Sequence, residues 1–262
     1  WQAPVPIACS GDSHLVVFPR RTTTTPAADE LAVHDLQSGE SATLASPARD
    51  PSASSDGRYI AYRSFPSGPG TRQVLVADRQ TGTTILASVS AGTTNASNGF
   101  ACPPVLSGDG RFVVFASGAT DLVAGDTNNV ADICVRDLQS DTTLVLSATA
   151  RGTPGNRLSA SPVLAADGRT VVFASFATDL DAADFNPNQD LFLVRLPGPE
   201  SEFRILTITR PGSGVTTLVW AAPEGTTQVL QYKNDLAEAD WHPLDVPITI
   251  EGGQGTATDD TT

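Results

Sequence analysis

Short apolar runs alternate with turn residues along the first three quarters of the chain. Four runs share one pattern: His14-Leu-Val-Val-Phe18, Arg58-Tyr-Ile-Ala-Tyr62, Arg111-Phe-Val-Val-Phe115 and Arg169-Thr-Val-Val-Phe173. A turn precedes each: Ser10-Gly-Asp-Ser13, Ser55-Asp-Gly57, Ser107-Gly-Asp-Gly110 and Ala166-Asp-Gly168. Before the turn lies a short strand, often opened by proline, as in Pro103-Pro-Val-Leu-Ser107 and Pro162-Val-Leu-Ala165. A second element follows: Leu31-Ala-Val-His-Asp-Leu-Gln-Ser-Gly39, Val74-Leu-Val-Ala-Asp-Arg-Gln-Thr-Gly82 and Ile133-Cys-Val-Arg-Asp-Leu-Gln-Ser-Asp141. It runs into a further strand, Thr83–Ser88 or Thr142–Ser147.

One repeat therefore predicts strand, Asp-Gly turn, strand, loop, strand, Gln-Ser/Thr-Gly turn, strand. Asp-Gly supplies the positive φ of a tight hairpin. Valine, isoleucine and aromatics suit a pleated, packed surface. No segment sustains a helical period. Four antiparallel strands recurring every 44 to 58 residues, counted from Asp12 to Asp56, Asp109 and Asp167, predict an all-β fold of propeller blades. The blades fall at about 3–46, 51–91, 103–150 and 161–197, within a region of residues 1–199.

The repeat Pro-x-x-Ser-x-Asp-Gly-Arg followed by four apolar residues, then Val-x-Asp-Leu-Gln-Ser/Thr-Gly, resembles the blade of TolB-type (WD-repeat-like) β-propellers. Departures occur: Ser13 and Asp141 stand in for turn glycines, and Arg195 stands where Asp35, Asp78 and Asp137 stand. After Leu196 comes Pro197-Gly-Pro199, with no clear fourth strand. Such propellers usually have more than four blades and close by a strand borrowed from the other terminus. The resemblance therefore implies a larger ring, completed by upstream blades or by another chain. A chain that opens at Trp1 and contains no methionine is likewise expected to be a processed product or a part.

From Glu202 the repeat stops. Phe203–Thr209, Val215–Trp220, Gln228–Tyr232 and Pro247–Ile250 alternate as half-buried strands do. Residues 202–262 resemble a small fibronectin-like β-sandwich of the kind found at the ends of secreted bacterial proteins, with Trp220, Tyr232 and Trp241 in its core. That pattern calls for an aromatic-rich last strand, so the sandwich is expected to be incomplete at its C-terminus.

Composition narrows the function classes. Hydrophobic residues make up 40% and charged residues 17% of the chain, a globular balance. A net charge of −13 offers no basic footprint for nucleic acid. No apolar run is long enough for membrane insertion as a helix. Cys9, Cys102 and Cys134 form no CxxC pair. Cys102 and Cys134 fall in one repeat, so a bridge between them stays open beside the reading of free thiols packed on strands.

The chemistry-bearing candidates lie in the loops between second and third strands of the last two blades. Both carry Asp-x-Asn-x-x-x-Asp: Asp126, Asn128 and Asp132 in one, Asp184, Asn186 and Asp190 in the other, with Asp121 and Asp179 upstream. Oxygen ligands at alternate loop positions can converge on a hard cation such as Ca²⁺, with the Val130 carbonyl or the Asn188 side chain as a further ligand. Two acids and an amide predict affinity of about 10⁻⁴ to 10⁻³ M. The competing reading is Asx-turns that order a long loop.

No catalytic constellation shows. His14, His34 and His242 are isolated, and no Gly-x-Ser-x-Gly elbow appears. The paired carboxylates recur in register with the repeat, as structural residues do. The sequence thus points to a non-catalytic, extracytoplasmic binding or scaffold propeller, stabilised by Ca²⁺ and presenting its face to a protein or glycan partner. The alternatives are a segment of a larger self-assembling surface or filament protein, engaging further copies of itself, and a hydrolase or lyase using a propeller pocket.

Overall fold

A computed structural model describes residues 6–22, 29–64, 72–182, 186 and 188–196, together with the strand backbones of the C-terminal part. The chain divides into two compact units, Trp1–Leu196 and Pro197–Thr262. Every regular element described is a β-strand, and no helix among the described residues is long and apolar enough to cross a membrane.

The first unit consists of four antiparallel sheets in chain order. Blade one pairs β1 (Ala8–Cys9), β2 (Leu15–Arg21), β3 (Asp29–Asp35) and β4 (Ser41–Ala45). Blade two pairs β5 (Ala48–Ala53), β6 (Tyr59–Ser64), β7 (Val74–Asp78) and β8 (Thr83–Leu86). Blade three pairs β9 (Val105–Leu106), β10 (Phe112–Ser117), β11 (Asp132–Asp137) and β12 (Thr142–Val145). Blade four has three strands among the described residues, β13 (Ser159–Leu164), β14 (Thr170–Ser175) and β15 (Asp190–Arg195). These up-and-down sheets are β-propeller blades, as the repeat predicts.

The Asp-Gly turn is held by its own side chains. Ser54 and Ser107 are fully buried, and their hydroxyls accept the backbone N–H of Tyr59 (2.9 Å) and Phe112 (2.8 Å). Each hydroxyl donates to the turn carboxylate, Asp56 or Asp109. That carboxylate also accepts the N–H two residues on, from Arg58 or Arg111 at 3.0 Å. Ser10 and Asp12 repeat the arrangement in blade one. Blade four has Ala165 in the serine's place, and Thr170 supplies the hydroxyl to Asp167 instead, at 2.6 Å. The turns also meet across blades: Asp12 N–H donates to the Ser55 carbonyl (2.8 Å) and Ser55 N–H to the Gly108 carbonyl (2.7 Å).

Alternation along the second and third strands then builds the core. Leu15, Val17, Leu31 and Val33 face blade two and meet Ile60, Tyr62 and Leu75. Ala61, Val74 and Val76 meet Val113, Phe115 and Cys134 of blade three. Val114, Ile133 and Val135 meet Val171, Phe173 and Phe192 of blade four. Because both faces of blades two and three are covered, their central strands are largely buried, most fully β10 and β11, in which every residue is buried. Each fully buried aliphatic side chain in these interfaces contributes roughly 1.5–3 kcal/mol.

All three cysteines are free thiols, Cys9 exposed, Cys102 half-buried and Cys134 buried. Cys134 is the strand-borne core thiol that the repeat suggests, whereas Cys9 lies on the surface.

The C-terminal unit has a four-stranded antiparallel sheet in the order β16 (Ile205–Thr209), β17 (Thr216–Ala221), β21 (Gln254–Asp259), β20 (Ile248–Glu251), and a separate ladder of β18 (Gln231–Tyr232) with β19 (His242–Pro243). Four of these six strands overlap the segments expected from alternation. The last, β21, is not aromatic-rich; it is Gln-Gly-Thr-Ala-Thr-Asp, between β17 and β20. The side chains of Trp220, Tyr232 and Trp241 lie outside the description.

Candidate functional site

The loop from β10 to β11 carries the blade-three candidates, and two interactions shape it. At its start, Thr120 and Asp121 clamp the segment that enters the blade. Asn98 donates its amide to Thr120 Oγ1 and accepts the Thr120 N–H, both at 3.0 Å. The Asn98 N–H lies 3.0 and 3.1 Å from the two Asp121 oxygens, and Ser90 donates its hydroxyl to the same carboxylate. Blade four repeats this clamp with Asn156, Thr178 and Asp179: the Asn156 amide reaches Thr178 Oγ1 at 3.0 Å and its N–H reaches Asp179 at 3.0 Å. Asp121 and Asp179 therefore join one blade's entry segment to its own second loop.

At the end of the loop, Asp126, Asn128 and Asp132 converge. The Asn128 carbonyl oxygen accepts the Val130 N–H at 2.9 Å, an Asx-turn. Its amide donates to Asp132 Oδ2 at 2.7 Å and to the Gly155 carbonyl at 2.6 Å, and its N–H approaches Asp126 at 3.4 Å. Ser147 donates to the other oxygen of Asp132 at 2.8 Å while accepting the Ile133 N–H at 3.0 Å. In blade four Asn186 and Asp190 pair in the same sense at 3.4 Å, and Asn188 N–H donates to Asn186 at 2.8 Å. That loop is exposed at Asn186 and Asn188, and Asp184 lies outside the described residues.

Burial sets the electrostatics of the blade-three site. Asp132 is 2% and Asp126 8% exposed. Burial pushes the Asp132 carboxyl up to about 6, opposed by the bonds from Asn128 and Ser147 and reinforced by the charges of Asp126 and Asp179. Burial also raises Asp126. Elsewhere the carboxylates run the other way: the Arg58 guanidinium holds Asp78 well below the usual range, bonding it at 2.7 and 3.0 Å. Among the described residues no group of three or more His, Cys, Asp or Glu side chains converges. A cation in blade three would thus rest on two carboxylates and the Asn128 carbonyl, with Asp121 engaged elsewhere.

Two pairs of residues outside the spacing pattern complete the picture. Ser147 closes the β12 strand against Asp132, and its counterpart Ser88 donates to Gln73 at the equivalent place in blade two. Asn98 and Asn156 organise the entry segments. The signal for them is a second, fainter repeat, Gly92-Thr-Thr-Asn-Ala-Ser-Asn98 against Gly152-Thr-Pro-Gly-Asn156, with positive φ at Gly92 and Gly152.

A groove of about 430 Å³ runs beside this loop, lined by Ser90, Thr93, Leu122, Arg136, Asp141 and Thr143 among others. Arg136 and Asp141 form an ion pair there. Asp141 has φ of 57° where blades one and two have Gly39 and Gly82. Arg136 and Asp141 are thus paired replacements peculiar to blade three.

No family model matches the chain, and no curated protein matches it. Among solved structures it is similar to TolB from Acinetobacter baumannii, at 16% identity and a TM-score of 0.46 over 83% of this chain and 51% of that one. It is also similar to the β-propeller domain of the Trilobed protease from Pyrococcus furiosus, at 13% identity and a TM-score of 0.49 over 95% of this chain and 74% of that one. An acylaminoacyl peptidase is similar at 16% identity and a TM-score of 0.44, over 83% of this chain and 35% of that one. The chain thus spans about half the length of the Acinetobacter protein. The blades themselves define the class, an all-β protein of propeller type.

Proposed function

We propose that this chain is a non-catalytic binding scaffold of the extracytoplasmic space, presenting its propeller surface to a protein or glycan partner, with Ca²⁺ stiffening the loops that precede β11 and β15. One observation carries the reading. The carboxylates that recur with the repeat are engaged, blade after blade, by groups of the same repeat: Asp56 and Asp109 by turn serines, Asp78 and Asp137 by Arg58 and Arg111, and the candidates Asp121 and Asp179 by Asn98 and Asn156. A reacting carboxylate needs an open position toward a substrate, and these are spent on fold. Asp126 and Asp132 differ. Both are buried, neither belongs to a described ion pair, and a divalent cation would relieve their desolvation and mutual repulsion. The extracytoplasmic address rests on the resemblance of the repeat. Purified protein incubated with common glycans and esters is expected to give no more turnover than a heat-denatured control; sustained turnover that Asp126→Asn or Asp132→Asn abolishes would replace this reading with a hydrolase or lyase.

A further inference from the structure

The groove beside β11 and β12 holds a charged pair that blades one and two lack. Arg136 on β11 stands where those blades have His34 and Ala77, and Asp141 stands where they have Gly39 and Gly82. Asp141 takes a φ of 57°, a conformation that glycine adopts at lower cost. The pair therefore burdens this hairpin in a way its sister hairpins avoid, and a local rule broken without structural need points to a site. The two partners differ in burial: the Arg136 side chain is 8% exposed and the Asp141 side chain 83%. Arg136 Nη1 donates to the Asp141 carbonyl at 2.9 Å and to Thr143 Oγ1 at 3.2 Å, and Nη2 donates to the Asp141 carboxylate. The buried Nε has no hydrogen-bond partner. A buried donor left over in a native fold asks for an acceptor from outside the chain.

The surroundings of the pair define the class of ligand. The groove holds about 430 Å³, within the range of small-molecule sites. Among the described residues Arg136 and Asp141 are the only charged groups lining it, and their charges cancel. An ionic ligand therefore meets no uncompensated charge there. Half-buried Val123 and buried Val89 and Leu122 give the groove an aliphatic side, and Thr93 and Thr143 bring hydroxyls to it. A neutral molecule with a donor and an acceptor on adjacent atoms, and C–H surface beside them, matches this lining. The vicinal diol of a sugar ring has that form: one hydroxyl donates to the exposed Asp141 carboxylate, its neighbour accepts from the guanidinium, and the ring C–H groups face the aliphatic side. We propose that this groove binds a neutral saccharide unit of a glycan through Arg136 and Asp141. The proposal rests on the scaffold reading, whose partner it names.

The test is an amide-resolved NMR titration of the full chain with neutral trisaccharides, namely maltotriose, cellotriose, mannotriose and N-acetylated chitotriose, at about millimolar concentration. At least one is expected to shift the amides of residues 90–93, 122–124 and 141–143 saturably. Arg136→Ala/Asp141→Gly, which installs the residues of blade two, should keep the dispersed spectrum of a folded chain and lose those shifts. Asp141→Asn, which suits the positive φ and retains one acceptor, should weaken the titration about tenfold. The proposal is overturned if none of the sugars shifts the groove, if the double variant keeps the shifts, or if trigalacturonate or capped tripeptides give an equal response. New reducing-end signals in the sugar spectrum would overturn the scaffold reading itself, whereas an intact sugar that leaves the groove unmoved overturns this proposal alone.

Discussion

Gln73 and Asp132 hold the same place in successive blades: Gln73 directly precedes β7, Asp132 opens β11, and each accepts the hydroxyl of a serine two residues past the fourth strand, Ser88 or Ser147. The Ser88 and Ser147 oxygens in turn accept the N–H of Val74 and Ile133, both at 3.0 Å. A neutral amide performs this duty in blade two, so the charge of Asp132 is not needed for the fold. Asp132→Asn is therefore expected to fold and, in a chelator at neutral pH, to melt no lower than the parent protein. Ser147→Ala, which strands the buried Ile133 N–H and one oxygen of the buried Asp132 carboxylate, is expected to lose about 1–3 kcal/mol in denaturant titration.

The Arg-Asp pairs that span the second and third strands give a test of the repeat itself. Arg58 with Asp78 and Arg111 with Asp137 are bidentate and half-buried to buried. Blade four breaks the pattern: Arg169 and Arg195 stand at the positions that Arg111 and Asp137 hold in blade three, with Arg195 opposite Thr170 as Asp137 is opposite Phe112. Arg195→Asp should rebuild the pair and raise stability by about 0.5–1 kcal/mol. Arg111→Ala should lower it by roughly 1–3 kcal/mol, because the buried Asp137 carboxylate loses its donor.

The turn glycines divide into two kinds. Gly57 has φ of 65°, and a Cβ there would sit 2.4 Å from Leu15 Cδ1. Gly82 has φ of 71° with open space around it. Gly82→Ala should cost only the left-handed backbone penalty, about 1–2 kcal/mol. Gly57→Ala should cost clearly more, because it also pushes into the blade-one core. Thermal melts of the two variants side by side check the order.

Much of this was legible in the sequence, and the reason is range. The Ser-x-Asp-Gly turns are local: Ser54, Asp56, Gly57 and Tyr59 satisfy one another within six residues, so their chemistry and their structure coincide. The blade strands follow because Leu15 and Val17 repeat at fixed offsets from those turns, and Leu31 and Val33 at fixed offsets from the Gln-Ser/Thr turn that follows them in blades one to three. Asp121 was harder to place. Its spacing to Asp126 suits a cation loop, yet it bonds Asn98, 23 residues earlier in the chain, and no spacing rule sees that partner. Asp132 is legible as a candidate ligand, but the Ser147 that shares it lies 15 residues on, past the end of β12. In the C-terminal unit, β21 escaped because Gln254–Asp259 has a glycine and no strong apolar alternation to announce a strand.

The acid limb of stability should come from the turn carboxylates. Hydrogen bonds from the Thr170 side chain and from backbone N–H groups hold Asp167 down to about 2, the hydroxyls of Ser10 and Ser54 lower Asp12 and Asp56, and the Arg58 guanidinium lowers Asp78. A carboxylate whose folded pKa lies below its unfolded value of about 3.9 stabilises the fold above that value. The contribution is lost as the pH falls toward the folded pKa. The melting temperature is expected to drop between about pH 4 and pH 2, and Asp167→Asn should flatten part of that slope.

The most direct test of the scaffold account is the melting temperature of the wild-type chain in millimolar Ca²⁺ against chelator, measured together with Asp126→Asn, Asp132→Asn and Asp121→Asn. The account predicts a rise of several degrees with Ca²⁺ in the wild type. Asp121→Asn, whose carboxylate is engaged by Asn98 and Ser90, should keep that rise, and the other two variants should lose it. Identical melts with and without Ca²⁺ in the wild type would contradict the account and leave these loops as plain Asx-turns.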